Sequence, residues 1–172
     1  MISSKRSILF VMVNGRTGRV VNSLYLVETK LLETPVLYMS RAILQNKRAY
    51  YEGLRSVTTS GAWEPWVLYM LDVVEVTARD TTDRIERITN TMMDVNDLVK
   101  ESAPRVYSRE LIELIFSQPY TRIIALEGAK IARRETASKH LKALEQLGVL
   151  TSSKTGRDLV YLNPRLMEIL SA

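Results

Sequence analysis

The sequence predicts a mainly α protein: a set of helices followed by a small winged helix-turn-helix domain with one β-hairpin. Three observations carry that prediction. Apolar residues recur at helical spacing from residue 20 to residue 147 with only Gly and Pro interruptions. Three short helical patterns after Pro104 run directly into a strand, a glycine turn and a β-branched strand. Charge is uneven: residues 1–103 carry 13 Lys/Arg against 12 Asp/Glu, and residues 104–172 carry 11 against 7. The whole chain, 172 residues with 46% hydrophobic and 25% charged, has the composition of a folded globular protein with a sizeable core, not of a disordered or collagenous one.

Composition also excludes chemistry. The chain has no cysteine, so it has no disulfide framework, thiolate metal site or Cys nucleophile. Its one histidine, His140, cannot by itself form a His-cluster metal site or a two-histidine relay. Ile8 to Val13 is too short for a signal-peptide core or a membrane span. The expectation is a cytoplasmic chain with no membrane partner.

Asn14-Gly15-Arg16-Thr17-Gly18-Arg19 runs into the apolar stretch Val20 to Val27, which reads as a glycine-rich turn opening a buried helix. Gly15 and Gly18 admit close backbone approach, a helix N-terminus presents unpaired N–H groups, and Arg16 and Arg19 suit phosphate oxygens. A plain loop before a core helix fits the same spacing. Pro35 to Leu44 reads as a short amphipathic helix, since proline fits a first helical turn. Asn46 to Val57 reads as another, with Tyr50, Tyr51 and Leu54 at helical spacing. Gly61 breaks it. Trp63 to about Arg87 reads as a buried helix. Thr77 to Lys100 keeps a thin apolar stripe through Ile85, Ile88, Met92, Val95, Leu98 and Val99, the pattern of a long solvated helix that connects modules.

Pro104 marks the domain boundary. Ser108 to Phe116 reads as a helix, Ser117-Gln118-Pro119-Tyr120 as a turn, and Tyr120 to about Gly128 as a second helix. Arg134 to Leu147 reads as a third, stopped by Gly148. Val149 to Leu162 reads as the hairpin. In a helix-turn-helix the second helix of the pair enters the major groove of DNA, and basic residues around it meet phosphates. Helical spacing puts Ala137, Leu141, Leu144 and Leu147 on the packed face and leaves Arg133, Arg134, Thr136, Ser138, Lys139 and Lys142 outside, with Lys154 and Arg157 on the wing. Gly128 to Arg157 holds seven Lys/Arg and two Asp/Glu, which suits a phosphate surface. A protein-interaction or packing role fits a winged helix equally well.

Taken together, these motifs resemble the C-terminal part of Fic-family proteins (filamentation induced by cAMP), which transfer AMP from ATP to hydroxyl groups of target proteins. The family motif His-x-Phe-x-(Asp/Glu)-Gly-Asn-Gly-Arg-x-x-Arg ends as Asn14 to Arg19 do. Bacterial members are also similar at Pro35 to Ser40, at Asn46-Lys47 with Tyr50-Tyr51, at Gly61-x-Trp63-Glu64-x-Trp66, and at Thr136-Ala137-Ser138-Lys139-x-Leu141-Lys142-x-Leu144. The resemblance implies a partial Fic-type helical bundle over residues 14–76, a connecting helix over 77–103 and a winged helix-turn-helix over 104–172. It further implies that Asn14, Gly15, Gly18 and Arg16 line a pocket for ATP phosphates, that Arg19 reaches the terminal phosphate, and that Asn46 and Tyr50 lie near the adenine. ATP and Mg²⁺ are the cofactors it implies for intact relatives.

The motif departs where the chemistry is done. Counted back from Asn14, the catalytic histidine falls on Ile8, the metal-binding acid on Met12 and the first motif glycine on Val13. The proton acceptor for the target hydroxyl and the Mg²⁺ anchor are both replaced by apolar side chains. Residues 2–13, Ile-Ser-Ser-Lys-Arg-Ser-Ile-Leu-Phe-Val-Met-Val, are what a typical family run, Asp-Gln-Phe-Glu-Ala-Ile-His-Pro-Phe-Arg-Asp-Gly, gives when its codons are read shifted by one base. The expectation is that residues 1–13 are an out-of-frame translation of the active-site loop, or else a degenerate segment. Codons for residues 2–13 that do not yield the motif when shifted back would refute it.

The sequence reading is therefore a truncated, inactive Fic-type chain without catalytic or metal-binding residues, with a target protein it does not identify. Its alternative is a DNA- or protein-binding winged-helix module that acts without catalysis. With no preceding helices to cover them, Leu24, Leu26, Leu37 and Trp66 are expected to lie partly open and to promote homo-oligomers.

Overall fold

The computed structural model describes residues 15–155 and 158–172. Residues 1–13, the proposed out-of-frame segment, lie outside them. The described residues form eight helices and a three-stranded antiparallel sheet, as expected of a mainly α chain with a hairpin. No described helix is long and apolar enough to cross a membrane. The chain divides into two compact units between Asp83 and Arg84.

The first unit contains α1 (Gly15–Glu28), α2 (Ser40–Gln45), α3 (Lys47–Ser60) and the first half of α4 (Trp63–Ser102). Asn46 starts α3, its side-chain oxygen accepting from the Ala49 N–H at 3.3 Å. Gly61 ends it in the left-handed region at φ 66°. Met39, Ile43, Tyr50, Trp66 and Val73 form the core. The Tyr50 ring meets Trp66 edge-on at 5.2 Å, and Trp66 stacks on Tyr69 at 5.7 Å.

Three expectations need correction here. The helix anticipated from Pro35 begins only at Ser40. Leu37 and Met39 are buried while Val36 and Tyr38 are 49% and 72% exposed, the period-two alternation of an extended strand of chain. The Ser23 hydroxyl donates to the Leu37 carbonyl at 3.3 Å, tying this segment to α1. The helix after Gly18 is not buried: Val20, Leu24 and Tyr25 are all more than half exposed, because its apolar side chains outnumber those the unit can cover. Conversely, Leu37 and Trp66, expected to lie open, are buried, whereas Leu24 is exposed. The open apolar surface of the unit is instead at residues such as Leu31, Leu44, Leu68 and Leu71.

The two overlapping helical patterns from Trp63 to Lys100 are one helix of 40 residues. Threonines recur along it and are accommodated by back-bonding. Thr77, Thr81, Thr89 and Thr91 each donate to the carbonyl four residues earlier, at 2.6–2.9 Å.

The second unit comprises the rest of α4, then α5 (Arg109–Ser117), β1 (Tyr120–Thr121), α6 (Ile123–Gly128), α7 (Arg134–Gln146), β2 (Thr151–Thr155), β3 (Asp158–Leu162) and α8 (Pro164–Ser171). Val95 and Val99 of α4 join Leu111, Ile112, Ile115, Leu126, Leu141, Leu144, Leu150, Tyr161 and others in one continuous core. Ser108 caps α5, accepting from the Leu111 N–H at 3.1 Å. The sheet order is β1-β3-β2, with Thr121 opposite Tyr161 and Ser153 opposite Val160. Tyr120 and Thr121, expected to open a helix, form an edge strand, with Thr121 buried and Tyr120 exposed. Helix α8 was not anticipated. It is capped by Asn163, begins at Pro164, and buries Leu166 and Ile169.

Candidate nucleic-acid interface

The α6–α7 turn positions the basic helix. After Gly128 the N–H groups of Ala129, Lys130 and Ile131 donate back into α6 at 3.0 Å, and Lys130 takes the left-handed conformation at φ 56°. Ile131 and Ala132 then pack against the core and aim α7. Along α7, Ala137, Leu141 and Leu144 are fully buried, spaced four and three residues apart on one face. Lys139 and Lys142 are exposed on the opposite side and Thr136 on its flank, Arg133 and Arg134 are exposed at the start of the helix, and Ser138 is half-buried.

The wing is fixed to the same helix. Glu145 accepts from the Ser152 N–H at 3.0 Å, and hydrogen bonding from the Ser152 side chain and backbone, aided by the charge of Lys142, holds its carboxyl below the usual carboxylate range. Lys154 is exposed on β2, paired with Leu159 of β3. Arg157 lies outside the described residues. Among the described side chains, the ion pairs are Arg48–Glu52, Arg79–Glu75 and Arg109–Glu113. Arg133, Arg134 and Lys139 form none of these pairs, and their charge is open to an anionic ligand, whereas Lys142 acts on the nearby Glu145 carboxylate. A helix backed by a buried core, with exposed cations at its start and along its outer side and a lysine on the neighbouring hairpin, suits the phosphates flanking a major groove.

Residues 91–166 match the family model of the C-terminal domain of SoFic-like protein adenylyltransferases. This stretch is similar to the SoFic-like C-terminal domain. The match runs from the second half of α4 into α8, so α7 and the wing both lie inside it. It supports the Fic-type resemblance on the part of the chain farthest from the glycine motif.

Within the matched residues, six of the eight DNA-facing candidates read from the sequence fall on α7 or at its N-cap, and five of these are exposed. The sequence reading missed Lys130, exposed in the turn before α7, and the anchoring role of Glu145. Neither has a period-based signal, since one sits in a turn and the other acts through a strand seven residues away. The nucleotide set is distributed differently. Asn14 and the side chains of Arg16 and Arg19 lie outside the described ones. Gly15 opens α1 and Gly18 is buried on it. The Asn46 side chain is engaged as a helix cap, and Tyr50 is in the aromatic core.

His140 lies half-buried on α7, with Nδ1 buried and without a hydrogen-bond partner among the described residues. Burial pushes its imidazole below the ordinary 6.5. The unfolded chain thus binds the proton first, so stability is complete above about pH 6.5 and falls as pH drops through that value toward the lower folded-state one. Urea melts at about pH 5.5 and about pH 7.5 should show this loss, and His140→Gln should narrow the difference. An unchanged pH dependence in the variant would contradict it.

Proposed function

We propose that this chain does not itself transfer AMP. Protein adenylyltransferases of the matched family use the adenylyl group of ATP, which a catalyst must activate with a proton acceptor for the hydroxyl and a cation on the phosphates. The observation that carries the proposal is that residues 1–14, which hold the motif positions before Gly15, contain no His, Asp or Glu. Mg²⁺ on a nucleotide is held by one or two carboxylates together with the phosphates, and residues 1–14 supply no carboxylate for that purpose. The remnant Asn14, Gly15, Arg16, Gly18, Arg19, Asn46 and Tyr50 is then at most part of an ATP pocket. Incubation of the purified chain with labelled ATP, Mg²⁺ and candidate target proteins should give no labelled protein. Robust transfer that depends on this chain would overturn the proposal.

A second reading is favoured by the exposed cations of α7: the SoFic-like region binds duplex DNA without catalysis, in a cytoplasmic setting. Arg133, Arg134, Thr136, Ser138, Lys139, Lys142, Lys154 and Arg157 are the proposed contacts. Binding should weaken steeply with salt, because each neutralised phosphate releases counterions. Arg134→Ala and Lys139→Ala should each weaken it severalfold at fixed salt. Absence of binding at low salt would remove this reading.

A further inference from the structure

The exposed side of α7 is not uniformly basic. At about 100° per residue, Glu135, Lys139, Lys142 and Gln146 form the strip that points most directly away from the buried Ala137, Leu141 and Leu144. All four are exposed. Glu135 is an acid at the start of that strip, beside Arg133 and Arg134, yet among the described side chains no cation pairs with it and it forms no cap, the α7 N-cap being Arg133 without a side-chain hydrogen bond. The other acid of the basic stretch, Glu145, is committed to the wing through Ser152.

A surface that only grips phosphate gains nothing from an unpaired carboxylate at its centre. In the major groove a carboxylate has a specific use, because it accepts from the exocyclic amine of cytosine. A lysine one helical turn further on donates to the O6 and N7 acceptors of guanine. Glu135 and Lys139 are four residues apart on one strip, about 6 Å along the axis, which brings them to neighbouring base pairs. Arg133, Arg134 and Lys130 flank them at the N-terminal end and Lys154 on the wing, where phosphates run.

We propose that α7 reads duplex DNA sequence through Glu135 and Lys139, with Glu135 accepting from a cytosine and Lys139 donating to a guanine in adjoining G·C pairs. This rests on the DNA-binding reading above. An acid in a first helical turn also favours the helix dipole, but that role acts on folding and treats all DNA sequences alike.

The test is selection from a pool of random-sequence DNA duplexes by the full chain, repeated with Glu135→Gln and Lys139→Gln, each first matched to the parent by thermal melting. The parent should enrich a short site containing a cytosine next to a G·C pair. Glu135→Gln should lose about tenfold discrimination at the cytosine while binding unrelated duplexes more tightly, and Lys139→Gln should lose about tenfold at the guanine. Salt-dependent binding with no enriched site would overturn this inference and leave the DNA reading standing. An enriched site unchanged in Glu135→Gln would also overturn it. Preference for RNA, or no duplex binding at all, would overturn both.

Discussion

Trp66→Ala will unfold the first unit at a denaturant concentration well below that of the parent, with a loss of about 3–5 kcal/mol. Trp66 is 1% exposed and joins α3 to α4: it meets Tyr50 of α3 edge-on, stacks on Tyr69 one turn along α4, and places its ring close to Gly53 of α3. A Cβ built on Gly53 would stand 2.7 Å from Trp66 Cε3. Gly53→Ala therefore tests the same contact from the other side. The helix propensity gained, about 1 kcal/mol, is outweighed by overpacking of about 1–3 kcal/mol against a ring with no free space to move into. The chain has two tryptophans, Trp63 and Trp66, so Trp63 still reports on this unit in the Trp66 variant. A Gly53→Ala protein more stable than the parent would show that the ring is not fixed.

Asn163→Ala will cost the second unit about 2–4 kcal/mol, from a lost cap and a stranded carbonyl. Asn163 is almost fully buried and is the last residue before α8. Its side-chain oxygen accepts from the Leu166 N–H at 3.1 Å, and its Nδ2 donates to the Ile115 carbonyl of α5 at 3.1 Å. Its own N–H donates to the Pro119 carbonyl at 2.8 Å, a bond that alanine keeps. Asn163→Asp should retain the cap but face the Ile115 carbonyl with an acceptor. Its folded-state pKa is then raised, so the variant is closest to the parent at low pH, where a protonated acid can donate. It loses stability as pH rises through that value. Equal denaturation midpoints for parent and Asn163→Ala would contradict the account.

Long periodic segments were legible in the sequence, and short or cooperative features were not. Helices α3, α4, α5 and α7 follow from apolar spacing, and Gly61 and Gly148, both at positive φ, end α3 and the basic helix as expected. Residues 36–39 were misread because four alternating residues beside a proline look like the start of a helix until Leu37 and Met39 are seen buried together. β1 is two residues long and exists only because β3 pairs with it, so no local pattern announces it. Helix α8 did carry a local signal, Asn163 before Pro164, with Leu166 and Ile169 three residues apart. The exposure of Val20, Leu24 and Tyr25 was not legible, because apolarity shows what a side chain prefers and not what the fold supplies to cover it. At the candidate interface, the exposed row on α7 followed from helical geometry alone. The wing's attachment through Glu145 depends on a contact between distant elements.

We propose that the region similar to a SoFic-like C-terminal domain presents an open cationic helix to duplex DNA. Equilibrium binding of the full chain to a short DNA duplex across a series of salt concentrations tests it most directly. The account predicts a linear fall of log affinity with log salt, with a slope of about −0.9 for each phosphate neutralised, and a slope shallower by about one in Arg134→Ala. No binding at the lowest salt, or an identical slope in the variant, would contradict it.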